Sequence, residues 1–379
     1  SWEDEGQGRF WTPSILWDLG PSSCDKVILP SCLHRSKLMT MRPQGVRKLL
    51  VAAMLMSVSW TLYTIHGTLP ESAPFSPQKP PRELDADVTM VEVQDMLKLW
   101  KRSEKEYEKL RSKISRDVNP RKHLLYYSDF RKNVREFLRL QKQNLTYSFK
   151  TPVGHYNTCA IVGNGGMLQN SSCGAAIDAH DFVSRCNMAP TEGFEKDVGT
   201  KTSHMMLNGE SMYDLWDALN DTVRELNIIR QFKTLNGSIL HYSKVRNNKI
   251  PRILTGLNDK LKKYSKHHHT NITLAYAQRN MANPVNVLLQ RILRQSRWAL
   301  TPTTGIMALF LDMTFCDQIT VYGMWPFPVD PRGRPLNYHY YQVGTEQLQN
   351  ERHTYNTEIH YLAKLHSKGV VKLVIQPCR

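Results

Sequence analysis

The sequence predicts an α/β fold with a mostly parallel central sheet flanked by helices, and four segments indicate it. An apolar run at residues 159–162 has the length and β-branching of a buried strand. Helical periodicity covers residues 214–229, and the short run 238–240 then favours another strand. A third apolar run at residues 319–322 ends at Gly323. Strands that alternate with helices in this way usually form a parallel sheet.

The turn after the first predicted strand is rich in glycine, at Gly163, Gly165 and Gly166. Glycines lack a Cβ, so backbone amides in such a turn can approach a phosphate or a sugar closely. Leu168 stands where the third glycine of a dinucleotide-binding fingerprint belongs, which disfavours NAD as the ligand.

A second ligand-binding segment is predicted at residues 302–327. Its residues Thr303, Thr304 and Gly305 have the hydroxyl and glycine chemistry of a helix N-terminus, where anions bind. Trp325 follows the predicted strand at residues 319–322, at the edge where α/β sheets place their ligands.

The composition is that of a globular protein, and the length is enough for one large domain with additional segments. The chain has 379 residues, of which 41% are hydrophobic and 22% are charged. Its 50 Lys and Arg against 34 Asp and Glu give a net charge of +16, which predicts an anionic partner. Nucleic acid, membrane headgroups and acidic glycans all satisfy this, and charge alone does not distinguish them.

The N-terminal third predicts a membrane-anchored organisation. Residues 1–40 are expected to be a non-native or unstructured leader, and residues 41–48 are expected to form a basic cytoplasmic tail. The uncharged apolar run at residues 49–65 predicts a transmembrane signal-anchor, with a cleaved signal peptide as the alternative. Residues 66–118 form a stem, rich in Pro and Ser at first and then a charged helix at 91–114. Residues 119–379 are expected to form a lumenal catalytic domain.

A lumenal location predicts glycosylation and disulfide bonds. Five sequons follow the predicted anchor, at Asn144, Asn170, Asn220, Asn236 and Asn271. Five cysteines also follow it, which is enough for two bridges, and their spacing does not select the pairing; they are Cys159, Cys173, Cys186, Cys316 and Cys378.

Four segments, in order along the chain, resemble the motifs of the eukaryotic sialyltransferases. The block at residues 159–202 resembles the large sialylmotif, and residues 302–327 resemble the small one. Residues 338–341 resemble the third motif, although Gln342 stands where the α2,8 enzymes usually have Asp. His353 with Thr357 and Glu358 resembles the very small motif. Further departures from the α2,8 pattern lie at Gly209, His241 and Met324.

The resemblance implies a Rossmann-like, GT-A-type variant glycosyltransferase domain that uses CMP-sialic acid as donor. The implied acceptor is a sialylated glycoprotein or glycolipid, the implied location is the Golgi membrane with the catalytic domain in the lumen, and no nucleic acid is involved. Pro302 ahead of Thr303, and the basic run at residues 260–297, resemble the polysialylating members. Oligo- or polysialylation of N-glycoproteins is therefore favoured; a ganglioside α2,8-sialyltransferase and a catalytically silent Golgi glycan-binding protein are the alternatives.

The resemblance also implies roles for single residues. His353 is the expected base, with Tyr338 and His339 stabilising the departing phosphate. It implies the bridges Cys159–Cys316 and Cys173–Cys378, with Cys186 free. The remaining expected ligands of CMP-sialic acid are Asn164, Asn187, Thr303, Thr304, Gly305 and Trp325. The motifs lack an Asp-x-Asp pair and the histidines at 267–269 lack a matching cluster, so no cofactor and no metal are expected.

Overall fold

A computed structural model describes residues 89–127, 150–243, 250–277, 280–293, 301–343 and 355–378. All of them belong to one compact unit, Arg82–Arg379. The predicted leader, cytoplasmic tail and anchor lie outside the described residues, and so does the part of the predicted stem at residues 66–88. Asn144 and His353 also lie outside them. No helix within the described ranges is long and apolar enough to cross a membrane.

The centre of the fold is an eight-stranded sheet in the order β1-β6-β5-β4-β3-β2-β7-β8. The edge pair β1–β6 is antiparallel, and every other pair is parallel. The predicted α/β class with a mostly parallel sheet is therefore confirmed. The strands are Leu125–Tyr126, Tyr156–Val162, Phe182–Cys186, His204–Leu207, Ile239–Tyr242, Thr273–Tyr276, Cys316–Tyr322 and Lys372–Val374, numbered β1 to β8 in that order.

Helices cover both faces of the sheet. Eleven α-helices lie in the described part of the chain, with a 3₁₀ turn at Gly166–Leu168. Helices α1, α2, α9, α10 and α11 share a core with one face, and helices α4 to α8 pack on the other. The helices α1 to α11 are Met90–Met96, Glu104–Asp117, Pro120–His123, Gly174–Asp178, Glu195–Val198, Gly209–Ala218, Thr222–Thr234, Ile250–His268, Ala282–Leu293, Thr304–Asp312 and Tyr355–Ser367.

The order of the strands places a switch point between β2 and β7. The chain moves outward from β2 through β3, β4, β5 and β6, and then returns to build β7 on the other side of β2. Val162 and Tyr322, the last residues of β2 and β7, are paired in register. In open parallel sheets, ligands bind beyond the carboxyl ends of the strands where the order reverses. A ligand site is therefore expected at the loops that follow these two residues.

The predicted charged helix at residues 91–114 is two helices rather than one. Thr89 caps α1 and Ser103 caps α2, so the hydrogen-bonding side chain at residue 103 starts a new helix. Tyr107 of α2 is fully buried and donates its hydroxyl proton to the carbonyl of Cys316, at 2.7 Å. Ile114 is equally buried. This part of the predicted stem thus packs in the same core as the sheet.

The predicted helical segment that begins at residue 214 also divides in two. It starts earlier, because Asn208 caps α6 through the N–H of Ser211, at 2.7 Å. A turn separates α6 from α7, where Asp221 caps the new helix. Hydrophobic periodicity alone predicted one continuous helix here, whereas the two polar caps start two separate helices.

Two disulfide bonds join distant parts of the chain. Cys159 on β2 is bonded to Cys316 on β7, with 6.1 Å between the Cα atoms. Cys173, ahead of α4, is bonded to Cys378 near the C-terminus, at a Cα distance of 4.8 Å. Cys186 is free and buried. These pairings are the ones that the resemblance implied.

The sequons in the described residues are all on the surface, at Asn170, Asn220, Asn236 and Asn271. Asn236 and Asn271 adjoin each other, since the side-chain oxygen of Asn236 accepts from the N–H of Asn271 at 2.8 Å. They precede β5 and β6, at the amino end of the sheet. Glycans there would stand at the edge opposite the switch point.

Candidate active site

The turns after β2 and β7 lie against each other. The N–H of Gly163 donates to the carbonyl of Tyr322 at 2.8 Å, and the N–H of Gly165 donates to that of Gly323 at 2.9 Å. A Cβ built on Gly163 would lie 2.6 Å from the Gly323 oxygen, and one on Gly165 would lie 2.7 Å from it. Both turn glycines are thus needed because another backbone occupies the space of a side chain.

The third motif crosses the same turn. The N–H of Gly166 donates to the carbonyl of Tyr338 at 3.2 Å, and the N–H of Tyr340 donates to that of Asn164 at 3.0 Å. Gly165 and His339 form an isolated antiparallel bridge between these contacts. Backbone hydrogen bonds therefore hold residues 338–340 across the end of β2, about 170 residues away in sequence from the turn that they contact.

The start of α10 borders the same place. Thr303 caps this helix by accepting from the N–H of Ile306, at 3.3 Å. A Cβ on Gly305 would lie 2.2 Å from Cε of Met324, and a Cβ on Gly163 would lie 3.0 Å from Cγ of Met324. The side chain of Met324 thus fills the space between the helix start and the glycine turn. Three of the four motif segments meet here.

The two asparagines predicted to bind the donor are held by backbone groups. Asn164 donates through Nδ2 to the carbonyl of Cys186 at 3.3 Å. Asn187 adopts a left-handed backbone, with φ of 58°, and its Oδ1 accepts from the N–H of Asn208 at 2.9 Å. Asn187 also lines a cavity of 210 Å³ at the carboxyl end of β3. With its oxygen engaged, the Asn187 amide has donors to offer to a ligand.

His339 is held by its neighbours in one tautomer. Its Nδ1 lies 2.6 Å from Oε1 of Gln342, and an amide oxygen only accepts, so Nδ1 carries the proton. The ring stacks on that of Tyr341, with centroids 5.1 Å apart and planes at 17°. Burial lowers the pKa of His339, although the bond to Gln342 acts in the opposite direction. In the neutral form Nε2 is therefore an acceptor, and it donates only once it gains a proton.

The fourth motif reaches the site through a pair of tyrosines. The hydroxyl groups of Tyr338 and Tyr355 are 2.9 Å apart. Tyr355 begins α11 and follows directly on the segment that contains His353, which lies outside the described residues. The Tyr338–Tyr355 contact brings the beginning of α11 next to the third motif. The role of His353 as base remains a prediction.

The sequence from residue 99 to residue 370 matches the model of glycosyltransferase family 29, the sialyltransferases. The chain belongs to this family. It is 30% identical over 246 residues to an alpha-N-acetylneuraminide alpha-2,8-sialyltransferase of Xenopus tropicalis, a match that covers 61% of this chain. The match spans 63% of the length of that relative.

Solved sialyltransferase structures are also similar to this chain. A crystal structure of a mammalian sialyltransferase is 21% identical, with a TM-score of 0.40, and the match covers 72% of this chain and 85% of the other. A second, of a mammalian sialyltransferase in complex with Gal-beta-1-3GalNAc-ortho-nitrophenol, has a TM-score of 0.37 at 21% identity, with 72% and 86% covered.

Several fixed positions of the large sialylmotif hold its own loops together. The carboxylate of Asp178 accepts from the N–H groups of Thr200 and Lys201, at 2.8 and 2.9 Å. Arg185, whose side chain is almost fully buried, donates from Nη2 to the carbonyl of Val198 at 2.7 Å. These sialylmotif residues therefore shape the turn at residues 198–201 rather than face the crevice.

Trp325 of the small sialylmotif is packed into the protein. Only 6% of its surface is exposed, and its indole N–H donates to the carbonyl of Val329 at 2.8 Å. Its ring meets that of Phe327 edge to face, with centroids 4.8 Å apart. The indole N–H is thus already engaged, so any contact of Trp325 with the donor would use the ring.

Glu358 is a residue of the site that was not selected as a ligand from the sequence. Its carboxylate accepts from the N–H of Thr303 at 2.8 Å and from Oγ1 of Thr303 at 2.6 Å. Burial raises the pKa of Glu358 to about 7. The position of Glu358 in the very small motif indicated that it could belong to the site. Its contact with Thr303 depends on how α10 and α11 pack, which the sequence does not show.

The described residues contain no group of three or more His, Cys, Asp or Glu side chains placed to hold a metal ion. His267 and His268 end α8, and His269 follows them with a left-handed backbone, φ of 52°. These histidines are adjacent in sequence and do not converge from separate elements, as metal ligands normally do.

Proposed function

We propose that this protein transfers sialic acid from CMP-sialic acid to the terminal sialic acid of a glycoconjugate, with inversion, to form an α2,8 linkage. The observation that carries the proposal is the meeting of three motif segments in the crevice at the carboxyl ends of β2 and β7. Membership of the sialyltransferase family and the 30% identity to an α2,8-sialyltransferase support it.

In the proposed reaction the acceptor hydroxyl attacks the anomeric carbon of the sialyl group. A bond forms between this oxygen and the carbon, the bond from the carbon to the phosphate oxygen breaks, and CMP leaves. His353 takes the proton of the hydroxyl. Tyr338 and protonated His339 donate hydrogen bonds to the phosphate as its charge develops. The two histidines thus act in opposite protonation states, so transfer should have an optimum in pH rather than a plateau.

The donor is held by groups from both sides of the switch point. Asn164 and Asn187 offer amides to the sugar nucleotide, and the capped start of α10 at Thr303, Thr304 and Gly305 receives an anionic or carbonyl group of the cytidine part. Ring contact with Trp325 completes the site. The domain is a variant of the GT-A type and needs no divalent ion.

The acceptor is a sialylated N-glycoprotein, extended to oligo- or polysialic acid, and a ganglioside is the alternative. The basic run that ends near the small motif supports an anionic polymer as product. A catalytically silent glycan-binding protein is the second alternative. The protein acts at the Golgi membrane, anchored by residues 49–65 with the domain in the lumen.

A transfer assay on the purified full chain tests the proposal. Labelled CMP-sialic acid is offered with sialylated glycoproteins, gangliosides and their desialylated forms, and CMP release, linkage and product length are measured with and without EDTA. We expect α2,8-linked product on sialylated acceptors, unaffected by EDTA. Failure to bind CMP-sialic acid would exclude the enzyme, whereas binding without transfer would support the silent alternative.

The matched variants are His353→Gln and His267→Gln. The first should abolish transfer while CMP binding persists, because the base is lost and the donor site is intact. The second changes a histidine at the end of α8 and should transfer as the wild type does. Near-wild-type transfer by His353→Gln would show that another group takes the proton.

A further inference from the structure

A groove runs along helix α7, beside the loop that follows β3. Its inner part is a cavity of 210 Å³ that Asn187 and Arg224 line. Its outer part is a cavity of 240 Å³ that Arg230 and Gln231 line. Met188 and Asn227 border both cavities, so the two lie side by side along α7. Their volumes taken together fall within the range of ordinary ligand sites, about 300–1,000 Å³. We call this feature the α7 groove.

One face of α7 presents the polar wall of the groove. Arg224, Asn227, Arg230 and Thr234 follow one another at intervals of three or four residues, which places them on one side of a helix. Arg224 and Arg230 are separated by about 9 Å along the axis, at 1.5 Å per residue. Two guanidinium groups are therefore spaced along the groove rather than clustered at one end.

The two arginines of the groove form no ion pair within the described residues, although Asp221, which caps α7, lies near Arg224: hydrogen bonds from the N–H groups of Arg224 and Val223, and the charge of Arg224, lower the pKa of Asp221. No ion pair within 4.0 Å joins Arg224 or Arg230 to an acidic side chain in the described ranges. Carboxylates are nonetheless present, since Asp214 lines the inner cavity and Glu192 lines the outer one. Guanidinium groups suit the carboxylates of a ligand, and the carboxylates and amides suit its hydroxyl groups.

We infer that the α7 groove binds the acceptor glycan, an oligosaccharide that ends in sialic acid. The inference rests on the proposed function, because Asn187 joins the inner cavity to the donor crevice. Arg224, in that inner cavity, binds the carboxylate of the terminal sialic acid, whose hydroxyl then faces the donor. Arg230 binds the carboxylate of the preceding sialic acid when the acceptor has two. Successive sialic acids of the acceptor are thus bound at successive positions along α7.

The test compares acceptor kinetics of the full chain with monosialylated and disialylated lactose. Arg224→Gln should raise KM for both acceptors about tenfold. Arg230→Gln should raise KM about tenfold for the disialylated acceptor alone. Lys233→Gln removes an exposed cation of α7 that does not line the groove, and it should leave both values unchanged. KM for CMP-sialic acid should change less than twofold throughout, and thermal unfolding should match the wild type.

The outcomes separate this inference from the proposed function. A wild-type chain that transfers nothing to these acceptors, to sialylated glycoproteins or to gangliosides refutes the proposed function, and with it the inference. A wild-type chain that transfers, with acceptor KM unaltered in Arg224→Gln, overturns the inference alone. Equal effects of Arg224→Gln and Lys233→Gln also overturn it, because they would reflect net charge and not the groove.

Discussion

The carboxylate of Glu358 accepts two hydrogen bonds from Thr303, one from the backbone N–H at 2.8 Å and one from Oγ1 at 2.6 Å. Thr303 in turn caps α10, whose residues are all buried. The pair therefore fastens α11 to the start of the helix that is expected to receive the donor. Burial raises the pKa of Glu358 to about 7, against the opposing effect of the two hydrogen bonds.

Replacing Glu358 by Gln should flatten part of the dependence of stability on pH. A carboxyl with a raised folded pKa stabilises the fold fully below its unfolded pKa of about 4.5, and this contribution is lost as pH rises to about 7. The Gln variant has no such titration. The free energy of unfolding of the variant, relative to wild type, should thus rise between pH 5 and pH 7.5, as measured by urea titration.

The control for this prediction is Glu358→Ala. It leaves the N–H of Thr303 without an acceptor, which should cost about 1–3 kcal/mol and weaken CMP binding. If wild type and Glu358→Gln had parallel pH profiles, Glu358 would not titrate in this range.

Gly166→Ala should be one of the most damaging single-methyl changes in the chain. A Cβ on Gly166 would lie 1.9 Å from the carbonyl oxygen of Asn337, a backbone atom that cannot move aside without displacing the third motif. Overpacking of this kind costs about 1–3 kcal/mol, and here it also breaks the contact of Gly166 with Tyr338. Unfolding in urea and CMP binding measure the two effects.

Gly154→Ala is the matched control, since nothing lies within 4 Å of its added Cβ. It should change the free energy of unfolding by no more than about 0.5 kcal/mol. A Gly166→Ala variant as stable as this control would mean that the loop at Asn337 yields readily.

The strands that hydrophobic runs predicted are β2, β5 and β7, because each combines local apolar character with a turn signal. β3 was harder to predict, since its buried residues include Ser184 and Arg185. The buried Arg185 donates hydrogen bonds to the carbonyl groups of Val198 and Lys201, which lie in another part of the chain. His204 on β4 is likewise buried with side-chain partners from neighbouring strands, Ser184 and His241. Such strands depend on partners that are distant in sequence, and no local pattern shows them.

The candidate site shows the same contrast between features that the sequence predicted and features that depend on distant contacts. The resemblance to the sialyltransferase motifs implied that Asn164, Thr303 and Tyr338 serve one donor site, and the structure brings their segments together at the carboxyl edge of the parallel sheet. The resemblance did not predict the bond between His339 and Gln342 or that between Glu358 and Thr303. These contacts follow from loop conformation and helix packing, which sequence periodicity does not encode.

Gln342→Glu should shift transfer activity to higher pH. The change keeps an oxygen near Nδ1 of His339 but adds a negative charge, which favours the protonated ring and raises its pKa by up to about one unit. If protonated His339 donates to the departing phosphate, the alkaline limb of the kcat profile moves upward. Gln342→Ala, which has no acceptor at this place, should move the limb downward. Identical limbs in all three proteins would remove His339 from the proton balance.

Four polar side chains form a buried chain through the sheet. Asp312 of α10 lies 2.5 Å from Ser184 of β3, which lies 3.0 Å from Nδ1 of His204 on β4. Nε2 of His204 lies 3.0 Å from Nδ1 of His241 on β5. Burial raises the pKa of Asp312 to about 8 and lowers that of His204 to about 3. Burial therefore favours the neutral forms of Asp312, His204 and His241 in the folded protein near neutral pH, and the hydroxyl of Ser184 donates to Asp312.

Asp312 and the two histidines should change the free energy of unfolding in opposite directions as pH rises, and one variant of each kind separates the two effects. Asp312 has a raised folded pKa, so its contribution is full below about 3.8 and is lost as pH rises to about 8. His204 and His241 have lowered folded pKa values, so their contribution is full above about 6.5 and is lost as pH falls. Asp312→Asn should gain stability relative to wild type from pH 5 to pH 8. His204→Gln should gain relative to wild type from pH 6.5 down to pH 4, whatever each variant costs at neutral pH. Urea midpoints at these pH values measure both, and a difference from wild type that does not vary with pH would show that the groups titrate alike in the folded and unfolded chain.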